Sequence, residues 1–419
     1  MRQRTNGLTP RIVSCIASCL ILCSCSDDEI QNLQPDTMSS RTLLIYMVAE
    51  NSLSGYASMD IQEMLEGAKE LPEHDNLVVY LDDTKSPRIY ALTNKNKEKR
   101  LSELQPTYTF PAEQNSASAT VLKTVIEYTR THYSADSYGI IFWSHASGWT
   151  HSDYSEDMSA TVGRKYMPRK SFGIDNGRNT MSNLGNQMNI EDMASALSGF
   201  PRFEFIMFDA CFMQSIEVAY ELKDCAHYII GSPAEIPGEG APYNKLIVPI
   251  FADTPDIIGI INAYYGHYYN DNSMGIALSA VDCDKLDEFA DRTSYYIRKY
   301  EDLFLNTDYT NTQNYFLYER WNEYNNCPDY YEMQGIMQKV LPEHEYTQWK
   351  QTFDKTVIAA QATDYWYSVY QRGRLPIDKE QFGGISMFLP LDKYSKESFL
   401  YEYASTQWAK SIGFGNKHQ

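Results

Sequence analysis

Six short apolar runs alternate with stretches of helical spacing over roughly the first 300 residues. The runs cover 42–48, 76–82, 138–144, 203–208, 227–231 and 274–281. They are almost wholly apolar, so they predict strands buried on both faces. Helical spacing falls near 56–69, 117–132, 190–199, 212–223, 254–268 and 285–303. The helix at 190–199 has a start signal, with Asn189 as N-cap and Glu191 and Asp192 in the first turn. Alternation of this kind predicts an α/β fold with a largely parallel sheet covered on both faces.

Two regions break the alternation. Residues 150–188 are rich in Ser, Thr, Asn, Gly and Asp and lack periodicity, and they carry Arg164, Lys165, Arg169 and Lys170. A run of that length inside a compact domain is functional or disordered. From about residue 300 the text becomes Tyr- and Trp-rich with helical character between Tyr309 and Tyr370, and a last strand is expected at 383–389. The expected division is a leader at 1–24, a tether at 25–40, a catalytic domain at 41–300 and a C-terminal extension at 301–419 packed on that domain. The extension is also expected to return a strand to the sheet.

The leader changes the compartment. Arg2, Arg4 and Arg11 flank an apolar stretch from Ile12 to Leu22 that is too short for a comfortable membrane span. It ends in Leu22-Cys23-Ser24-Cys25, which resembles a bacterial lipobox with Cys25 as the lipidated residue. Anchoring to the outer membrane follows as an expectation, on the periplasmic or cell-surface side. The acidic run Ser26-Asp27-Asp28-Glu29 is similar to a surface-export signal.

Charge and cysteine content narrow the partners. With 36 basic against 55 acidic residues the net charge is −19, which excludes nucleic acid and suits basic peptides. Cys211, Cys225, Cys283 and Cys327 are scattered without metal-ligand spacing, so no metal site is expected among them. A monomer is expected.

The candidate chemistry sits at two strand ends. Phe-Asp-Ala-Cys at 208–211 closes one apolar run, and His145 closes another. Ligands bind beyond the carboxyl ends of strands in open α/β sheets. A cysteine at a helix start has a lowered thiol pKa, and the expected helix at 212–223 places Cys211 there. The pair reads as nucleophile and base of a cysteine hydrolase. Backbone N–H groups of Ala146 and Cys211 are expected to form the oxyanion hole. Asp209 is too close to help a thiolate, whose pKa it would raise. It fits the floor of a pocket for a basic side chain.

His-Ala-Ser-Gly-Trp (145–149) and Asp-Ala-Cys (209–211), each after an apolar strand, resemble the clostripain family of cysteine peptidases. The opening Leu-Ile-Tyr-Met-Val-Ala-Glu-Asn (44–51) and the stretch 232–240 extend the likeness over roughly 41–245. The resemblance implies a caspase-like three-layer α/β/α sandwich, a His145/Cys211 dyad and cleavage after Arg or Lys. It places Asp209 in the specificity pocket, with Glu239 or Glu235 as a second acid. It also implies self-activation by a cut after Arg164, Lys165, Arg169 or Lys170. No cofactor is required, although calcium is possible because some relatives need it; no EF-hand-like loop is present. Two positions depart from the pattern. Ala146 stands where the family has glycine, so any positive φ there is costly, and Glu50-Asn51 replaces Asp-Asn. The alternative is a catalytically impaired surface lipoprotein of the same fold that binds peptide or glycan.

Overall fold

The computed structural model describes residues 39–110, 113–150, 171–177, 185–269, 274–315, 330–369, 373–391 and 398–414. The first strands are β1 (Ser39–Val48), β2 (Asn76–Asp82), β3 (Arg88–Leu92), β4 (Tyr108–Thr109) and β5 (Ala135–Trp143). They are followed by β6 (Phe172–Asp175), β7 (Asn186–Met188), β8 (Phe203–Asp209), β9 (Ala226–Gly231) and β10 (Ala277–Asp282). The last are β11 (Asn314–Tyr315), β12 (Tyr330–Glu332), β13 (Val357–Ala362), β14 (Tyr365–Ser368), β15 (Gly373–Pro376) and β16 (Ser386–Met387). Nine of these form one sheet in the order β13-β10-β9-β8-β5-β1-β2-β3-β4. The five central strands, β2 to β9 in that order, run parallel, and antiparallel strands close both edges.

Alternate residues of each central strand face opposite ways, which divides the core into two layers. Tyr46, Phe142 and Phe208 face one side. There they meet α2 (Ala119–His132), α3 (Ile190–Leu197), α4 (Ile216–Leu222) and α7 (Leu286–Lys299). Met47, Trp143 and Met207 face the other. They pack on α1 (Ser54–Gly67), α5 (Tyr243–Ile250) and α6 (Ile257–Tyr268). The molecule is a three-layer α/β/α sandwich, as the apolar runs and the family likeness both imply. Among the described residues no helix is long and apolar enough to cross a membrane.

Several elements differ from the sequence expectation. The helix expected from 212 begins at Ile216, because the Ser215 hydroxyl accepts from the Val218 N–H at 3.3 Å and fixes the start there. Asn189 occupies the N-cap position of α3 but makes no side-chain cap bond; its Oδ1 accepts from Ser171 Oγ at 3.1 Å. The late strand does not enter the main sheet. Only Ser386–Met387 of it is extended, and it pairs with β12, whereas β13 returns to the sheet beside β10. Residues beyond 300 are therefore built into the catalytic core as well as packed on it. Trp149 of the histidine turn lies 5.3 Å from the Phe388 ring and 5.7 Å from Tyr403, between ring centroids.

Glu332 ties this region together. Its buried carboxylate accepts from Tyr315 Oη at 3.0 Å and from the Gly383 N–H at 3.1 Å. Burial pushes the carboxyl up to about 8. The folded protein therefore holds this proton more tightly than the unfolded chain does. Its stabilising share is full below the ordinary glutamate range and is lost as pH rises to about 8. Glu332→Gln keeps the shape and removes the titration. Thermal melts at about pH 5.5 and 8.5 should show a smaller fall in Tm for the variant than for the wild type. Equal falls would refute this role.

Candidate active site

The register of two neighbouring parallel strands sets the geometry. Trp143, the last residue of β5, pairs with Asp209, the last of β8. His145 and Cys211 each lie two residues further, so they emerge side by side over the carboxyl edge of the sheet. Adjacent strands run only about 4.8 Å apart.

The histidine turn is held from both sides. The His145 carbonyl accepts from the Gly173 N–H at 2.9 Å, and the Ser147 N–H donates to the Ser171 carbonyl at 3.1 Å. These two bonds flank a bridge between Ala146 and Phe172. In that antiparallel pattern the N–H of Ala146 itself points away from β6. Among the described non-glycine residues only Phe212 has a positive φ, so Ala146 carries no such strain. The positive φ in this turn belongs to Gly148, at +80°, where a Cβ would collide with the Tyr330 hydroxyl. That hydroxyl donates to the Ser147 carbonyl.

The histidine ring has a partner that the sequence did not suggest. Ser52 Oγ lies 2.9 Å from His145 Nε2, so the turn between β1 and α1 fixes one ring nitrogen. Asn51 anchors that turn, its amide donating to the Val48 and Ile174 carbonyls at 2.9 Å each.

Cys211 does not begin a helix. It sits in a turn before α4, and its half-buried sulfur accepts from the Ile236 N–H at 3.4 Å. Phe212 follows at φ +61°, a conformation that costs a bulky residue of order 1 kcal/mol or more. Its ring is buried and stacked on Tyr330, centroids 5.4 Å apart, and its N–H donates to the Ala234 carbonyl at 3.0 Å. A backbone N–H from the segment after β9 therefore meets the sulfur, in place of the expected helix terminus.

Asp209 turns to the α1/α5/α6 face. It is buried, and its carboxylate accepts from Tyr243 Oη at 2.8 Å, Tyr264 Oη at 3.1 Å and the Ala241 N–H at 3.1 Å. Burial nevertheless raises its pKa. It does not cap α4. A second acid of this face, Asp60 on α1, accepts from Trp143 Nε1 at 2.6 Å and is pushed up to about 9 by burial and then by Asp209. Asp60 was missed in the sequence. The signal was an aspartate on the apolar stripe of α1, between Ala57 and Ile61.

The other acids divide. Glu235 is buried, with Ser368 Oγ donating to it at 2.6 Å and the Val369 N–H at 2.9 Å, so it faces β14 and not Asp209. Glu239 lies next to Gly240, where a Cβ would stand 2.7 Å from Asp209 Oδ2. Arg164, Lys165, Arg169, Lys170, Cys25 and Cys327 lie outside the described residues. Cys225 and Cys283 are free thiols.

A cysteine and a histidine over the carboxyl edge of this sandwich define the class: a caspase-like cysteine endopeptidase. Within it the chain belongs to the clostripain family, peptidase C11, whose family model matches residues 45–416. An inactive zymogen C11 protease from Parabacteroides distasonis superimposes with a TM-score of 0.73 at 29% identity, over 90% of this chain and 99% of the other. A secreted C11 cysteine protease from Bacteroides thetaiotaomicron, bound to an irreversible peptide inhibitor, gives 0.72 at 31% identity over 89% and 98%. Clostripain of Hathewaya histolytica is 25% identical over 254 residues. That match takes in 52% of this chain and 45% of clostripain, so the chain spans less than half the length of that relative.

Proposed function

We propose that this chain is a lipid-anchored endopeptidase that cleaves after Arg or Lys, with Cys211 as nucleophile and His145 as its proton carrier. The observation that carries the specificity is the buried carboxylate of Asp209, two residues from the thiol and backed by Asp60. Two buried acids with raised pKa values favour the entry of a cation, which supplies the counter-charge that burial withholds. The tyrosines around Asp209 donate to both of its oxygens and fix the carboxylate in place. Glu239 is the candidate for the pocket rim.

In the reaction, Ser52 holds Nε2 of His145, and Nδ1 takes the proton of the Cys211 thiol. The thiolate attacks the scissile carbonyl, and the N–H groups of Ala146 and Cys211 receive the developing oxyanion. Imidazolium then protonates the leaving amine, and water hydrolyses the thioester with His145 as base. The intact backbone of the Ala146 turn favours this reading over an impaired binding protein. A cut after Arg164, Lys165, Arg169 or Lys170 is proposed as self-activation, in keeping with the zymogen relative. Cys25 is the proposed anchor on the outer membrane, and basic peptides or proteins are the proposed substrates.

Fluorogenic peptides ending in Arg, Lys, Asp and Asn test the reading under reducing conditions. Turnover confined to Arg and Lys is expected. Turnover confined to Asp or Asn would remove the role of Asp209, and none at all would sink the activity.

A further inference from the structure

A second group of acids lies at the carboxyl edge of the sheet, on the α2 face and away from the Asp209 pocket. Glu50 follows β1, Asp82 ends β2, and Glu113 lies in the segment that leads to α2. One carboxylate oxygen from each lies within 4.8 Å of the other two. Glu50 and Asp82 are fully buried, and Glu113 stands exposed at the mouth.

Asp82 is the informative member. Its Oδ2 accepts from Ser116 Oγ, whereas its Oδ1, equally buried, has no hydrogen-bond partner. The charges acting most strongly on it are themselves carboxylates: Asp175, Glu50 and Glu113. A buried acidic oxygen without a donor, among other acids, is costly unless a proton or a cation sits against it, and the oxygen is open to either. Three carboxylates offer hard oxygen ligands only, the set that calcium, magnesium and manganese prefer.

We propose that Glu50, Asp82 and Glu113 form a binding site for one hard divalent cation of the calcium class, entered past Glu113 and completed by water. The ligands come from three separate segments, so no spacing motif announces the site. Its place in the fold gives it a task. The Glu50 carbonyl accepts from both the N–H and the side-chain amide of Asn176, at 3.2 and 2.9 Å. The neighbouring Asp175 accepts from the Ser116 N–H at 2.6 Å. The end of β1, the approach to α2 and the end of β6 therefore converge on these acids. Ser52, which holds His145, lies two residues beyond Glu50. A bound cation fastens these three segments and with them the turn behind the histidine.

The test uses the full chain stripped with chelator and titrated separately with calcium, magnesium and manganese chloride. Calcium at about 100 times its half-saturating concentration should raise Tm by roughly 3–6 °C. Equilibrium dialysis should find one calcium per chain. Glu113→Gln changes an exposed ligand and leaves the core intact, so it should fold and weaken calcium binding about tenfold or more. Asp82→Asn should abolish the Tm response. Should that variant fail to fold, dialysis on the wild type and on Glu113→Gln decides alone. The proposal is overturned if none of the three cations binds or shifts Tm at about 10 mM, a concentration above the weakest protein calcium sites. It is equally overturned if Glu113→Gln binds calcium as the wild type does.

Discussion

Cys211→Ala is expected to lower kcat/KM on lysyl and arginyl peptides by about ten-thousand-fold or more, because the covalent intermediate can no longer form. Residual hydrolysis would rest on the oxyanion donors and substrate binding alone. The fold should survive, since the side chain is only half-buried and alanine keeps its Cβ. Tm within about 2 °C of wild type is therefore expected. The variant should also resist an irreversible peptide inhibitor that labels the wild type, and it should remain a single band on a denaturing gel if the 164–170 cut is self-made. Turnover within tenfold of wild type would remove Cys211 from the mechanism.

Asp209→Asn should cost about a hundred- to ten-thousand-fold in kcat/KM on peptides ending in Lys or Arg, with much smaller losses on peptides ending in neutral residues. Asparagine preserves the shape and can still bond Tyr243 and Tyr264, so a general loss of activity on every peptide would point to structural damage instead. The pH dependence separates the cases further. Burial raises Asp209, and Asp60 is pushed up to about 9, so the free pocket gains negative charge as pH climbs. A lysine side chain stays cationic over the same interval. Wild-type kcat/KM on lysyl peptides should therefore rise as pH climbs toward about 9, where Asp60 ionises, and should stay above that of Asp209→Asn throughout. The ratio of lysyl-peptide to neutral-peptide kcat/KM within each protein cancels changes at the dyad and reports the pocket.

Much of this was readable in the chain. The central strands are apolar on both faces, and that signal survives any tertiary context, so β1, β2, β5, β8 and β9 fall within a few residues of expectation. His145 and Cys211 follow because each closes such a run. The turn at Cys211 was not readable. Nothing in Phe212 announces a positive φ; the stack on Tyr330, more than a hundred residues away, holds it there. Likewise, 357–362 is alanine-rich and continues the helical text of the helix Glu343–Thr356, yet it forms β13 because the edge of β10 needs a partner. Ser52 escaped notice since a lone serine after Asn51 reads as a helix start. Asp60 was hidden as an ordinary helical acid, and only the fold shows that its stripe packs on Trp143.

The position of Tyr330 in the chain has a consequence for biosynthesis. A polypeptide emerges from its N-terminus, and early segments begin to organise before later ones exist. Both His145 and Cys211 are made well before the residue that stacks on Phe212 and holds the Ser147 carbonyl. β13 and Phe388 come later still. A nascent or truncated chain thus carries both reactive side chains without the brace that aligns them. For the proposed dyad, alignment by Tyr330 waits for the last quarter of the protein.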